Sequence, residues 1–453
     1  MARQYEVASL MLGDEGTKAA DYANYFVSYS YLYHQKQMLT DEKRMRAYRD
    51  AMVGNGALFA GATVLDVGAG SGILSLWAAK AGARKVIACE FTSMADHART
   101  LVRENGYSEV VEVRQCAVES LELEKGTVDI IISEWMGYFL LRESMLDSVL
   151  YARDTFLKPN GTILPNRARL YWAPANLRDE RDARLKDRAD AMADFDAFAH
   201  DLRSSDGLDF FCLRKAYARE QTDYYLRQAQ WLECREDQLL AEPALVRTFD
   251  LYDVTREDAR GVDDAPFDFP NVPFTAVSAF LGFFAVDFDT DGHGNDLPRC
   301  VELSTAPKDG YTHWGQQVFY TPAHTDYSAV GALTPPGNGD DEEEDNKGNK
   351  AQDFFPSSTT GSLSLVRQSN AVRLYDVKVD IIDNNKHQPG GNDIKTTTKK
   401  VPHLGTELER HLSPPRARKN SEASPASRLL SPFLPPFESE RREKEGYEAP
   451  SLG

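Results

Sequence analysis

The fold is decided by residues 62–90, which read ATVLDVGAGSGILSLWAAKAGARKVIACE. An apolar run ends at Val67, glycines punctuate residues 68–72, a helical pattern runs from Ile73 to Ala81, and a second apolar run leads to Glu90. A change from a short β-branched run to helical periodicity and back is typical of a strand, a helix and a second strand. We therefore predict a βαβ unit of a parallel sheet.

The glycine turn carries the first chemical signal. Gly68, Gly70 and Gly72 follow a strand that ends with Asp66, and Glu90 closes the next strand. Glycines let the backbone approach a ligand closely, and a carboxylate at a strand end can accept hydrogen bonds from both ribose hydroxyls. The third glycine comes one residue earlier than in the dinucleotide fingerprint, a spacing found in many S-adenosylmethionine enzymes. We predict that these five residues bind S-adenosylmethionine; a tight turn without a ligand is the alternative.

The same domain continues beyond this unit. Further buried strands are predicted at Val110–Arg114 and Val128–Ser133, followed by a helix at Glu143–Thr155. Glu119 comes after the third strand, where its side chain could reach an adenine amino group or lie exposed in a loop. The pattern therefore predicts an α/β, Rossmann-like domain.

After Pro165 the pattern changes to strand-like segments, which predicts a second, β-rich substrate domain. A charged helical arm is expected at about residues 176–235, and an acidic disordered insert around Asp340–Asp345. The predicted organisation begins with a tail at residues 1–21, followed by amphipathic helices and the Rossmann-like domain at 22–164. The β-rich domain, which contains the arm and an insert at about 331–360, spans residues 165–383. A disordered tail rich in Pro, Ser, Lys and Arg covers residues 384–453.

Composition excludes several classes of protein. The formal charge of -18 disfavours direct binding to nucleic acid and favours basic partners. The five cysteines form no CxxC pair, so neither a disulfide framework nor a metal site is expected. With no signal peptide and no apolar run long enough to span a membrane, we expect a soluble intracellular protein.

The densest signal is SEWMGYFLLRESM at residues 133–145, directly after a buried strand. Glu134 and Glu143 bracket an apolar, aromatic segment, where an unpaired carboxylate would be costly to bury. A guanidinium is a suitable partner, because its planar fork of donors fits two carboxylates and it remains charged. An internal pair with Arg142 or another arginine of the chain is the alternative.

Methyl transfer to a guanidinium needs such a clamp. The nitrogen lone pair is delocalised, which makes it a weak nucleophile. Two carboxylates can localise the positive charge on the far nitrogens and orient the free nitrogen toward a methyl donor. The site would then work by proximity and electrostatics.

Four segments together resemble the protein arginine N-methyltransferase family. SEWMGYFLLRESML resembles the family's double-glutamate loop, and VLDVGAGSGILSLWAAKAGARKVIACE resembles its cofactor motif. YTHWGQQVFY, at residues 311–320, resembles the Thr-His-Trp loop of the family's β-barrel, and residues 25–48 resemble its N-terminal helices. The resemblance covers about residues 22–320 and 363–383, and it implies a Rossmann-like domain followed by a β-barrel with a helical dimerisation arm.

The resemblance implies roles for charged residues of the first domain. Glu134 and Glu143 would clamp the substrate guanidinium. Glu90 would hold the ribose and Glu119 the adenine end of S-adenosylmethionine. Arg44 would pair with the carboxylate of that cofactor.

It also implies a dyad and a lining for the acceptor site. Asp41 would pair with His313, a dyad that takes up the released proton, unless this pair only ties the barrel to the N-terminal helix. Met38 and Met145 match methionines of members that make asymmetric dimethylarginine, whereas the symmetric enzyme has Phe at the position of Met38. Tyr25 matches the helix that closes over the cofactor. Simple packing is the alternative for the methionines and for Tyr25.

The resemblance predicts a type I enzyme that acts on basic proteins, either histone tails or Arg/Gly-rich RNA-binding proteins. It also implies a homodimer, and we expect the protein in cytoplasm and nucleus. The segment Leu32–Met38 departs from the family's common Gly-Ile-His-Glu-Glu-Met, so the subfamily stays open. An inactive scaffold and a small-molecule methyltransferase are the competing hypotheses, although neither explains both glutamates together with the Thr-His-Trp loop.

Overall fold

The structure is a computed structural model of the 453-residue chain. It describes residues 23, 25–292, 294–321, 358–369, 371 and 373–382, and the backbone of residues 399–401. The predicted N-terminal tail, nearly all of the acidic insert and most of the C-terminal tail lie outside the described residues. Among the described residues, no helix is both long and apolar enough to cross a membrane.

The first domain is built on a parallel sheet. Its strands are β1 Thr63–Val67, β2 Lys85–Glu90, β3 Val111–Gln115, β4 Val128–Ile132 and β5 Leu157–Leu164. Their order in the sheet is β3-β2-β1-β4-β5, and β1 is buried at every position, as expected for a strand covered on both faces.

Helices precede this sheet and connect its strands. Residues 25–29 are helical. The following helices are α1 Leu32–Leu39, α2 Glu42–Val53, α3 Gly56–Phe59, α4 Ile73–Lys80, α5 Met94–Glu104 and α6 Leu146–Phe156. The predicted helix at Glu143–Thr155 was wrong at its start, because Glu143 and Ser144 have positive φ angles of 78° and 56° and lie in the preceding loop.

The second domain contains two antiparallel sheets. Their strands are β6 Arg167–Ala175, β7 Gln230–Leu232, β8 Ala244–Asp250, β9 Gly261–Phe269, β10 Ala279–Thr290, β11 Asp296–Ser304, β12 Gln316–Tyr320, β13 Thr359–Arg367, β14 Tyr375–Ile382 and β15 Lys399–Val401. The strand orders are β7-β12-β10-β6-β8, with β11 paired to β10, and β15-β14-β13-β9. Strand β15 lies in the predicted disordered tail, so that prediction was wrong for these three residues, which pair with β14.

The helical arm consists of α7 Arg178–Asp206 and α8 Arg214–Thr222. Helix α7 ends at Gly207, whose φ of 70° supplies the left-handed cap that glycine adopts without strain. The prediction of a helical arm up to residue 235 extended too far, because β7 already pairs with β12 of the barrel sheet.

The two domains share a continuous apolar core, and contacts from α2 and from Asn55, two residues after its end, reach the barrel. The Tyr48 ring packs edge-on against Phe288 of β10 at 4.9 Å. Asn55 donates from Nδ2 to the carbonyl of Arg299 (2.9 Å) and accepts from the backbone amide of Arg299 (3.0 Å). Helix α2 is therefore fixed against both domains, at the side of the sheet where the candidate site lies.

Candidate active site

The glycine turn forms a backbone cradle. Gly68, Gly70 and Gly72 have φ angles of 74°, 53° and 85°, which other residues adopt only with strain. A Cβ at Gly68 would collide with the terminal methyl of Met145, and one at Gly70 would lie 3.0 Å from the side-chain oxygen of Gln35. The turn therefore presents bare backbone, as close approach to a ligand requires.

Asp66 of β1 and Glu90 of β2 make hydrogen bonds that fix the turn and the helix that follows it. Asp66 is fully buried and accepts a 2.6 Å hydrogen bond from Ser75, which ties β1 to α4. Burial raises the pKa of Asp66 to about 7, and nearby Glu90 acts in the same direction against the Ser75 bond. The second carboxylate oxygen of Asp66 has no partner among the described residues, so it can still accept from a ligand.

Glu90 has a similar double arrangement. Its Oε2 accepts from the Gly70 amide (2.8 Å), and its Oε1 accepts from the amide (2.8 Å) and hydroxyl (2.6 Å) of Thr92. A carboxylate offers about four acceptor positions. Three are therefore used to fix the orientation of Glu90, and one remains for a ligand hydroxyl.

Glu119 lies in a 3₁₀ turn after β3, where its exposed side chain accepts a 2.7 Å hydrogen bond from Ser148 of α6. The carboxylate is exposed, as the loop interpretation expects, and Ser148 holds it in place; the contact with an adenine amino group stays a prediction. Its location after the third strand is the one that the sequence predicted.

The two glutamates of the 133–145 segment have different partners. Glu134 accepts from Nη2 (2.9 Å) and Nε (3.2 Å) of Arg44, the internal ion pair that the sequence left open as an alternative. Glu143 accepts a 2.6 Å hydrogen bond from the Tyr29 hydroxyl. The structure thus places Arg44, assigned by resemblance to the cofactor carboxylate, on one arm of the predicted clamp.

Burial raises the pKa of Glu143. The Tyr29 hydrogen bond and the positive charges of Arg142 and Arg373 oppose this shift, and the charge of Glu134 adds to it. A partly buried carboxylate with a raised pKa is stabilised when a cation comes close. Glu143 is therefore suited to hold a guanidinium.

The dyad predicted from the resemblance is present. His313 Nδ1 and Asp41 Oδ2 lie 2.8 Å apart, and the backbone amide of His313 donates to the same oxygen at 2.8 Å. The other oxygen of Asp41 caps α2 by accepting from the Arg44 amide (3.0 Å). Burial alone would raise the pKa of Asp41, but the hydrogen bonds from His313 and Arg44 lower it. Asp41 is therefore anionic and can orient the imidazole, and it also ties α2 to the barrel.

Tyr25, Met38 and Met145 lie around the same site. The Tyr25 hydroxyl is 4.0 Å from the sulfur of Met145, whose methyl group covers Gly68. Met38 is buried, and its carbonyl accepts from Arg44 at 3.1 Å. Met145 therefore lies between the glycine turn and the N-terminal helix.

Four further residues support the site and were not predicted: Gln35, Thr92, Ser148 and Arg373. Gln35 lies in the segment Leu32–Met38, which departs from the family's common pattern, and this departure was the available signal. The other three act through hydrogen bonds or ring contacts that no local pattern reveals.

Comparisons with known proteins agree with this geometry. Residues 64–161 match a methyltransferase domain, and residues 194–332 match the arginine methyltransferase oligomerization subdomain. Protein arginine N-methyltransferase PRMT10 of Oryza sativa subsp. japonica is 47% identical over 304 residues, which are 67% of this chain and 79% of that protein. PRMT10 of Arabidopsis thaliana is 46% identical over 306 residues, 67% of this chain and 78% of the relative. This chain belongs to the protein arginine N-methyltransferase family.

Solved structures of the family have the same fold. The crystal structure of Arabidopsis thaliana protein arginine methyltransferase 10, described as uniquely open, matches with a TM-score of 0.66 and 38% identity over 79% of this chain and 94% of that one. A Trypanosoma brucei PRMT1 enzyme-prozyme heterotetramer with AdoHcy matches with a TM-score of 0.58 and 29% identity, covering 80% and 96%. The Rossmann-like domain and the barrel that the sequence predicted are therefore confirmed.

The methyl donor of this methyltransferase is S-adenosylmethionine, as the sequence predicted. The bare glycine backbone, the free oxygen of Asp66 and the remaining acceptor position of Glu90 all fit this cofactor. When bound, it supplies a methyl group activated by a sulfonium charge.

Proposed function

We propose that this methyltransferase is a type I enzyme that makes mono- and asymmetric dimethylarginine in basic proteins, either histone tails or Arg/Gly-rich segments. The observation that carries the proposal is the pair Glu134 and Glu143, two carboxylates in an apolar loop beside the cofactor turn. The net charge of -18 also favours a basic substrate.

In this proposal Glu143 holds the substrate guanidinium, with the Tyr29 hydroxyl fixing the carboxylate in place. Glu134 contributes the second carboxylate and at the same time forms an ion pair with Arg44. Arg44 would then face both this glutamate and the carboxylate of the cofactor. The clamp orients one nitrogen of the substrate guanidinium toward the methyl donor and excludes water. Both effects lower the barrier by holding the reacting groups in place before the reaction.

The dyad takes the proton that methylation releases. Because Nδ1 of His313 faces Asp41, Nε2 is the nitrogen left to accept. The anionic Asp41 stabilises the resulting imidazolium. The same contact holds α2 on the barrel, so the dyad has both a chemical and a structural role.

The product assignment rests on the two methionines. Met38 and Met145 match the residues of members that form asymmetric dimethylarginine, and Met145 packs between Tyr25 and Gly68.

We also infer a homodimer, supported by the matched oligomerization subdomain and by the exposed apolar residues Phe198 and Leu213 of the arm. Sedimentation at several concentrations tests the dimer, and microscopy of the tagged chain tests the expected location in cytoplasm and nucleus.

The decisive test combines activity with product analysis. Purified protein is incubated with isotope-labelled S-adenosylmethionine and either an Arg/Gly-rich peptide or a histone tail, and the hydrolysed product is resolved by chromatography. We expect asymmetric dimethylarginine from wild type and a loss on the order of 1000-fold in Glu143→Gln, because one partner of a buried charge pair is removed. Glu109→Gln is the matched control, since Glu109 is exposed and lies at the opposite edge of the sheet, just before β3.

Symmetric dimethylarginine would contradict the type I assignment. Unchanged activity in Glu143→Gln would contradict the clamp. Cofactor binding without methylation of either peptide would contradict the substrate proposal and favour a scaffold.

A further inference from the structure

The turn between β13 and β14 contacts the double-glutamate loop. The backbone amide of Glu143 donates a 2.9 Å hydrogen bond to the carbonyl of Arg373, a residue of this turn. Glu143 and Ser144 both have positive φ angles, so their backbone is strained and depends on such external support. The carbonyl of Arg373 thus helps to set where the Glu143 carboxylate lies.

The side chain of the same arginine contacts the N-terminal helix. Its guanidinium carbon lies 4.3 Å from the ring centre of Tyr25 and 5.0 Å from that of Phe26. Both distances are within the range of a cation–π interaction, which becomes stronger as the groups are removed from water, and all three residues are half-buried. Arg373 therefore fixes the turn and the helix to each other.

The helical residues 25–29 in turn span both halves of the site. The Phe26 ring packs on Phe91, next to Glu90, with ring centres 4.4 Å apart. The Tyr29 hydroxyl donates to Glu143. A movement of this helix would therefore change the cover of the cofactor turn and the partner of the clamp at once.

We propose that Arg373 is a positioning residue, which couples the docking of residues 25–29 over the cofactor turn to the placement of Glu143. The proposal rests on the proposed function, because it takes Glu143 as a binder of the substrate guanidinium. Arg373 itself acts through Glu143 and the helix and needs no contact with the substrate.

Electrostatics gives a readout that a purely structural role would not change. The charged and titratable groups that influence Glu143 are Tyr29 from the N-terminal helix, Arg142 from its own loop, Glu134 from the end of β4 and Arg373 from the barrel turn; Tyr25 is a further neighbour. Removing the positive charge of Arg373 raises the pKa of Glu143 further. Because the carboxylate must be ionised to hold a cation, activity would then be lost at a higher pH during acidification.

The experiment compares Arg373→Gln and Arg373→Lys in the full chain. Calorimetry measures the Kd for S-adenosylhomocysteine, and kcat/KM for an Arg/Gly-rich peptide is measured from acid to neutral pH. We expect Arg373→Gln to weaken S-adenosylhomocysteine binding about 10-fold through loss of the ring contacts. The acid limb of its profile, which is the part where kcat/KM falls as the pH is lowered, should move to higher pH by on the order of one unit. Arg373→Lys keeps the charge, so its Kd should stay within about 3-fold of wild type and its acid limb should not move.

Two controls make the result specific. Arg256→Gln removes another arginine that stacks on a ring, Tyr151 at 5.4 Å, and should change neither quantity. Arg373→Met keeps the alkyl stem and replaces the Gln variant if that one does not fold.

The proposal is overturned if Arg373→Gln binds S-adenosylhomocysteine like wild type, or if its acid limb stays in place. Either result is distinct from failure of the proposed function, which would appear as wild-type protein that binds S-adenosylhomocysteine but methylates no peptide.

Discussion

The glycine turn at residues 68–72 and the loop at residues 134–145 lie at the same edge of the parallel sheet but are stabilised differently. In the turn, positive φ angles fall on glycines, which adopt them freely. In the loop, they fall on Phe139, Leu140, Glu143 and Ser144, at a cost on the order of 1 kcal/mol each. The backbone of the glycine turn is therefore encoded by its own residues, whereas the backbone of the loop is strained.

Distant parts of the chain hold the strained loop. The Tyr48 hydroxyl donates to the Ser133 carbonyl (2.9 Å), and the Trp314 indole donates to the Met136 carbonyl (2.8 Å). Arg373 accepts from Glu143. These supports come from α2, the Thr-His-Trp segment and the barrel turn. The comparison shows that the barrel domain helps to shape the predicted clamp as well as adding surface.

After the loss expected for Glu143→Gln, the next largest effect is expected from a change on the cofactor side. We predict that Gly68→Ala lowers kcat/KM on the order of 100-fold, because the added Cβ must push the terminal methyl of Met145 out of its place beside the turn, and a misplacement of about 1 Å in a site can cost that much. Gly106→Ala is the matched control: its φ of 76° imposes the same strain, but a Cβ there meets nothing within 4 Å. Calorimetric Kd values for S-adenosylhomocysteine should separate the two. Equal losses would show that strain alone matters at Gly68.

The next effect tests the link between α2 and the barrel. Asp41→Asn should lower the free energy of unfolding by about 2 kcal/mol at neutral pH, since hydrogen bonds to a charged group are lost. The pKa of Asp41 is lowered below its usual 3.8, so its contribution is complete above that pH and disappears as the pH falls through the folded-state pKa. Urea unfolding should therefore show the two proteins converging only below about pH 4.

Asp196→Asn provides the contrast for this measurement. Asp196 pairs with Arg214 on the exposed arm, where solvent screens the pair. Its substitution should leave the unfolding midpoint nearly unchanged. A difference between Asp41→Asn and wild type that persists undiminished in acid would refute the assigned pKa direction.

A smaller effect sharpens the dependence of the loop on the barrel. Arg367 of β13 donates two hydrogen bonds to Asp147, at 2.6 and 3.1 Å, just after the loop. Lysine cannot make this two-pronged contact, so Arg367→Lys should lower kcat/KM about 5-fold and leave the cofactor Kd unchanged. Asp147 is 37% exposed, which limits the effect. Arg214→Lys, in the exposed pair with Asp196, should have no effect on kcat/KM.

The smallest effect concerns the rim of the cofactor site. Ser148→Ala removes the 2.7 Å hydrogen bond to the exposed Glu119 and should weaken cofactor binding by no more than about 3-fold. Titration calorimetry measures this directly. A loss above 10-fold would mean that Glu119 is as tightly constrained as Glu90.

Much of the fold was predictable because its signals are local. The strand that closes at Glu90 was predicted with its observed end, since its apolar run and the glycines that precede it define it. The start of α6 was not, because Glu143 and Ser144 have no sequence feature that excludes a helix. The left-handed backbone of Glu143 is supported by a hydrogen bond to Arg373 of the barrel turn, which lies far away in the sequence.

The sequence by itself determined the glycine turn, the position of Glu90 and the two glutamates, because φ preferences and burial patterns depend on neighbouring residues. Only the tertiary structure decided which groups pair. Asp41 and His313 are 272 residues apart in the chain, and Glu134 meets Arg44 across 90 residues. Such pairs form because α2 packs against both the parallel sheet and the barrel, which brings these groups into the same low-dielectric space, where an unpaired charge is costly.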